Sequence, residues 1–105
     1  MLVLPIKKKW FDMILSGEKL VEYREIKPYY TTRFINIGLI NKDESLNKEV
    51  RKVVFRNGYS SNSPSFVADV SLDIGTGWYK WGGEPEKLYY RLMILRVSNI
   101  NNNET

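Results

Sequence analysis

The chain has 105 residues, enough for a single domain that buries roughly two-thirds of the surface its unfolded form exposes. Its 43% apolar content, with three Trp, seven Tyr and four Phe, can fill a core without disulfides or a structural metal. Cys and His are both missing, which excludes thiol redox chemistry, thiolate and imidazole metal sites, and every catalytic scheme that needs a His base. No cofactor or metal is expected, and any catalysis would fall to Lys, carboxylates, hydroxyls or backbone groups. The net charge of +4 is uneven: residues 1–56 hold twelve Lys and Arg against seven Asp and Glu, and residues 57–105 hold four against five. That asymmetry suits a basic face that attracts phosphates, and equally a solvated Lys-rich surface.

Residues 2–6 are β-rich, with Pro5 near the end of a first strand because proline cannot donate to a central ladder. Their apolar run precedes Lys7, Lys8 and Lys9, the reverse order of a secretory signal, and no apolar run reaches the roughly 18–20 residues that span a bilayer. The expectation is a soluble cytoplasmic protein with no membrane partner. Trp10, Met13 and Ile14 recur at helical spacing over residues 8–16, and Gly17 supplies the usual helix stop. Residues 20–25 then alternate as a strand, Val21 and Tyr23 to one side and Leu20, Glu22 and Arg24 to the other.

Pro28 and the following Tyr29, Tyr30, Thr31 and Thr32 read as a turn, with Lys27 pushed into an extended conformation, and residues 33–40 as a strand. The polar run 41–49 is a loop or short helix, and strand character resumes over 50–56. Asn57-Gly58 is a turn signal, extended by residues 60–65 into a mobile connection. In residues 66–74, Phe66, Ala68, Val70, Leu72 and Ile74 share one side, the pattern of a half-buried antiparallel strand. An aromatic loop follows over 75–83, then an apolar central strand over 88–97. The domain is expected to span residues 1–98, with 99–105 as a flexible tail.

The densest cluster of chemistry is residues 17–24, where a helix stop, a Lys, a carboxylate and an Arg fall within one turn and one strand. Glu22 and Arg24 on one face are close enough to pair, which would hold the guanidinium in a fixed orientation. The same residues also suit a purely structural ion pair beside a turn.

The spacing Gly17-x-Lys19-x-x-Glu22-x-Arg24 resembles the signature of the ASCH family, and the order strand, helix, signature, barrel strands and Tyr-rich final strand agrees over nearly the whole chain. The resemblance implies an α+β fold, a small PUA-like β-barrel with an amphipathic helix between its first two strands. It further implies a cleft beside the signature that binds RNA, another nucleic acid or a nucleotide-like small molecule. Gly17 would shape the corner, and Lys19, Glu22 and Arg24 would line or brace the cleft, beside Tyr23. Lys meets phosphate as a point charge, Arg reads phosphate or a base edge bidentately, and Glu orients the Arg or accepts from a base amino group.

Some similar bacterial proteins are amidohydrolases acting on acylated cytidine, in which the signature Lys works with a Thr and a Glu. Lys19 matches, but Glu22 stands where that Thr belongs, and Glu22 is expected to favour the charged form of Lys19. Thr31 and Thr32 lie beyond the signature, and Glu44, Glu49, Glu84 and Glu86 are undistinguished as the second acid. The chain is therefore expected to bind rather than to hydrolyse, with the amidohydrolase, and a regulatory domain for a protein or metabolite, as alternatives.

Two further features bear on a site. Lys7, Lys8, Lys9 and Trp10 suit either a phosphate track or a solvated helix start with a core Trp. Trp78 and Trp81, with Tyr79, would stack on bases or else cap the barrel. Gly75-Thr76-Gly77 lacks the spacing of a phosphate loop.

Overall fold

Strand β1 (Val3–Ile6) lies at one edge of the sheet and pairs in parallel with β3 (Arg51–Asn57), Val3 opposite Val54 and Ile6 opposite Asn57. An edge position tolerates Pro5, whose missing N–H removes nothing from a ladder on its open side. Antiparallel pairing continues from β3 to β4 (Ser65–Thr76), from β4 to β5 (Leu88–Asn101), and from β5 to β2 (Val21–Glu25) at the other edge. The result is a five-stranded mixed sheet of order β1-β3-β4-β5-β2, in a computed structural model that describes residues 1–101, the Asn99 side chain excepted. Helices α1 (Lys8–Leu15) and α2 (Pro28–Asn36) complete an α+β domain.

The expected alternation in residues 66–74 is the backbone of the core: Phe66, Ala68, Val70 and Leu72 are buried, whereas Ile74 is exposed. Helix α1 lays Phe11 and Ile14 on this face, and Phe11 meets the Phe66 ring at 5.0 Å between centroids. Register shifts between Ser65 and Val67 and between Asp69 and Val70 interrupt the β4–β5 ladder, the kind of irregularity that bends a long strand pair. Among the described residues no ladder joins β1 to β2, so the sheet is open.

Residues 33–40 do not form the expected strand, nor does Pro28 open a mere turn. Pro28 occupies the first turn of α2, where a fixed φ favours the helix and a missing N–H is no loss. Lys27 is extended, as the proline requires, with φ −150° and ψ 158°. Tyr30 and Phe34, four residues apart, stack with ring centroids 6.0 Å apart, and Phe34 is completely buried against Tyr90. One buried ring at helical spacing outweighed the β propensity of Ile35, Ile37 and Ile40. At the other end, β5 runs to Asn101, three residues into the segment expected as a tail; residues 102–105 lie outside the described residues.

Candidate functional site

The corner at Gly17 positions the signature. Gly17 has φ +82°, in the left-handed region that favours glycine, and the following turn lets the Lys19 N–H donate to Met13 O at 2.9 Å. The chain then reverses beneath α1, so that Lys19 enters the interior with 1% of its surface exposed. Its ammonium donates to the backbone carbonyl of Trp81 at 2.5 Å and lies 3.2 Å from Glu22 Oε1. The Trp10 and Tyr23 rings flank it, each with its centroid 5.1 Å from Nζ.

The segment after β4 seals this chamber. A 3₁₀ turn at Tyr79–Trp81 leads into Gly82, whose φ is +91°, and a β-carbon there would come within 2.8 Å of Trp10 Cζ2. At Gly83 it would come within 2.9 Å of Tyr23 Cδ2. Only glycines let this backbone lie directly on the two rings that enclose Lys19.

Glu22 and Arg24 share one face of β2, as the strand period requires, and the second Glu22 oxygen takes a 2.7 Å hydrogen bond from Arg24 Nη2. The same Nη2 donates to Pro5 O at 3.1 Å, and Nη1 to the Tyr30 hydroxyl at 3.4 Å. Arg24 therefore spans the gap between the two edge strands that no ladder closes. Its Nε is buried without a hydrogen-bond partner. One carboxylate thus serves two cations, each of which also binds a backbone carbonyl.

Beside this triad opens a cavity of about 480 Å³, within the range of roughly 300–1,000 Å³ found for small-ligand sites. Glu22, Tyr23, Arg24 and Glu25 form one wall, and Pro5, Ile6, Lys7 and Trp10 another. Lys27 and Tyr30 from the start of α2, Asn57 at the end of β3, and Gly58 and Tyr59 from the β3–β4 loop complete it. Four aromatic rings and three basic side chains thus surround an opening at the seam of the sheet.

Of the residues expected at the site, Glu22, Tyr23 and Arg24 line the cavity, and Gly17 shapes the corner. Lys19 does not line it; it is sealed behind Glu22. Trp78 and Trp81 form an edge-to-face pair with ring centroids 4.7 Å apart and do not line the cavity, and Trp81 reaches the signature through its carbonyl rather than its ring. Trp10, weighed as a core residue, is only partly buried and forms part of the wall. Tyr30 and Tyr59 were not expected there. The Asn57-Gly58 turn signal marked the loop, but nothing local in sequence indicated what the loop would face.

Burial is the largest influence on Lys19 and holds its pKa below the ordinary 10.5, against the charge and hydrogen bond of Glu22 and together with the charge of Arg24. The expectation that Glu22 favours the charged form names a real effect, but desolvation outweighs it. The Tyr23 phenol is pushed up, chiefly by burial, which the Arg91 charge and the Trp78 backbone offset in part.

Among the described residues, none of the candidate Thr and Glu partners is hydrogen-bonded or ion-paired to Lys19. Thr31, Thr32 and Glu44 line a separate cavity of about 450 Å³ with Tyr90, where the Thr31 and Tyr90 hydroxyls are hydrogen-bonded. Glu84 and Glu86 lie with Tyr79 at a third, and Glu49 pairs with Arg51 at 3.5 Å. Among the described residues no group of His, Cys, Asp and Glu is arranged to hold a metal ion, and no helix is long and apolar enough to cross a membrane. No family model, curated protein or solved structure matches the chain.

Proposed function

We propose that the chain is a domain of the ASCH family, with a PUA-like curled sheet, and that its seam cavity binds RNA or another nucleotide-containing ligand. The observation that carries this reading is the cavity itself: Glu22, Tyr23 and Arg24 of the signature share its wall with Lys7, Lys27 and aromatic rings. Basic side chains recruit phosphate, and rings accept a base without regard to sequence. The order β1, α1, β2 agrees with the family resemblance, and the Arg24 contact to Pro5 draws together the two edges that a PUA-like barrel brings close. The Glu22 contact supports Arg24 as the residue that reads phosphate or a base edge, because a guanidinium already oriented loses less freedom on binding.

Titration of a labelled single-stranded RNA at two salt concentrations tests this. The expected result is measurable affinity at low salt that falls as salt rises, with a log–log slope of about −0.7 per phosphate contact. Binding absent at low salt, or indifferent to salt, contradicts it.

The amidohydrolase reading has one observation in its favour, the lowered pKa of Lys19. Against it stand the burial of that amine behind Glu22 and the placement of every candidate Thr and Glu elsewhere. Incubation with acylated cytidine followed by chromatography decides: turnover abolished by Lys19→Ala would replace the binding reading.

A further inference from the structure

The cavity wall offers four rings and several cations, and most of them are already engaged. Lys9 and Lys19 approach Trp10, with Nζ 4.7 and 5.1 Å from the ring centroid. Tyr23 has Lys19 at 5.1 Å and the Tyr89 ring at 5.2 Å. Tyr30 is packed by Tyr29 and Phe34, with Arg24 and Lys27 near its ring at 5.7 and 5.5 Å. Tyr59 differs: it is 90% exposed and, among the described residues, has no ring, cation or side-chain hydrogen-bond contact.

The cations divide in the same way. Arg24 is held by Glu22, Pro5 O and Tyr30, Lys27 lies near the Tyr30 ring, and Lys19 is sealed. Lys7 is exposed and, among the described residues, has neither an ion pair nor a ring contact for its side chain. The free ring and the free cation are also neighbours through the backbone. Gly58 N donates to Ile6 O at 3.1 Å, so Lys7 and Tyr59 each follow one partner of a single hydrogen bond that ties the β1–α1 junction to the β3–β4 loop. Asn57 N donates to Pro64 O at 2.9 Å and closes the base of that loop.

We infer that Lys7 and Tyr59 form a two-point contact for one nucleotide unit at the cavity mouth, the base stacked on Tyr59 and its phosphate on the Lys7 ammonium. This rests on the nucleotide reading and adds to it the residues that meet the ligand outside the signature. Stacking on a ring with no present partner displaces no existing contact, whereas a base entering over Trp10, Tyr23 or Tyr30 must compete with a cation or another ring. A phosphate at Lys7 likewise breaks no ion pair. Both groups stand on the solvent side, which leaves the ion pairs among Lys19, Glu22 and Arg24 intact on binding.

The test measures affinity for a labelled single-stranded RNA by fluorescence anisotropy, with adenosine monophosphate and inorganic polyphosphate as competitors. The wild-type chain is compared with Tyr59→Phe, Tyr59→Ala and Lys7→Gln, and melting temperatures establish that each variant is folded. Tyr59→Ala is expected to weaken RNA binding about five- to hundred-fold, the range for loss of one stacked base, and Tyr59→Phe to restore it. Competition by polyphosphate, which has no base, should be the same in all Tyr59 variants. Lys7→Gln should weaken RNA and polyphosphate alike and make the salt slope shallower by about 0.7. Competition by the mononucleotide supports a free nucleotide as the natural ligand, and competition by RNA alone supports a polynucleotide.

A folded Tyr59→Ala variant that binds RNA as the wild type does overturns the stacking role while leaving the nucleotide reading in place. Equal loss of RNA and polyphosphate in that variant overturns it too, since the ring would then act without a base. A wild-type chain that binds neither RNA nor mononucleotide removes the nucleotide reading, and this inference with it.

Discussion

Two regions only one cavity wall apart are built on opposite principles. In the signature triad, Lys19, Glu22 and Arg24 are largely withdrawn from water and bound to one another and to the Trp81 and Pro5 carbonyls. At the mouth, the side chains of Lys7 and Tyr59 are exposed and, among the described residues, make no ion pair, ring contact or hydrogen bond. Removing one partner from a buried ion pair is costly, so the triad is sensitive to a single change. Exposed groups have already accepted their solvation and are free to exchange it for a ligand. One cavity is thus bordered by a set of ion-paired, largely buried side chains and by a pair of exposed ones.

The largest effect that would break this contrast is at Glu22. Glu22→Gln leaves Lys19 buried without its counter-ion and is expected to cost about 3–5 kcal/mol, read from urea unfolding near neutral pH. A loss below about 1 kcal/mol would mean that the triad is solvated and comparable to an exposed surface pair.

Next in size is a dependence on pH. Because the folded pKa of Lys19 is below its unfolded value of 10.5, the unfolded chain binds more protons between those two values, and stability there rises with pH. Tyr23 opposes this: its raised folded pKa makes its contribution complete below 10.0 and lost as pH climbs through the folded value. Comparison with Lys19→Met separates the two, since both chains retain Tyr23. As pH rises toward 10.5 the wild type should gain stability relative to the variant. A difference that is flat, or that shrinks with pH, would show that Lys19 keeps an ordinary pKa.

The smallest effect belongs to the mouth. Tyr59→Ala and Lys7→Gln should each change stability by no more than about 0.5 kcal/mol, as is usual for surface positions without structural partners. A larger loss at either residue would join the two regions into one structural unit.

Much of the site's local geometry was legible from residue spacing. The face shared by Glu22 and Arg24 follows from the strand period of two, and the corner at Gly17 from the helix stop that precedes it. The alternating core residues of β4 were readable for the same reason. Helix α2 was misread because Pro28 serves equally in a turn and at a helix start, and its decisive contact, Phe34 against Tyr90, joins residues far apart in the chain. The depth of Lys19 was equally hidden. A lysine two residues past a helix stop ordinarily faces water, and here the Gly82-Gly83 pair, more than sixty residues later, lets a loop close over it.

By itself the sequence determined the α+β class, most strand and helix positions, the exclusion of Cys and His chemistry, and the pairing of Glu22 with Arg24. These depend on composition and on periods of two or about 3.6 residues, which neighbouring positions encode. Tertiary structure alone decided that Lys19 is sealed while the Lys7 side chain is exposed, that Trp81 contributes a carbonyl rather than a ring, and that Tyr59 lines the cavity. Burial and the absence of a partner are properties of what the rest of the chain packs against, and no local window of residues contains that information.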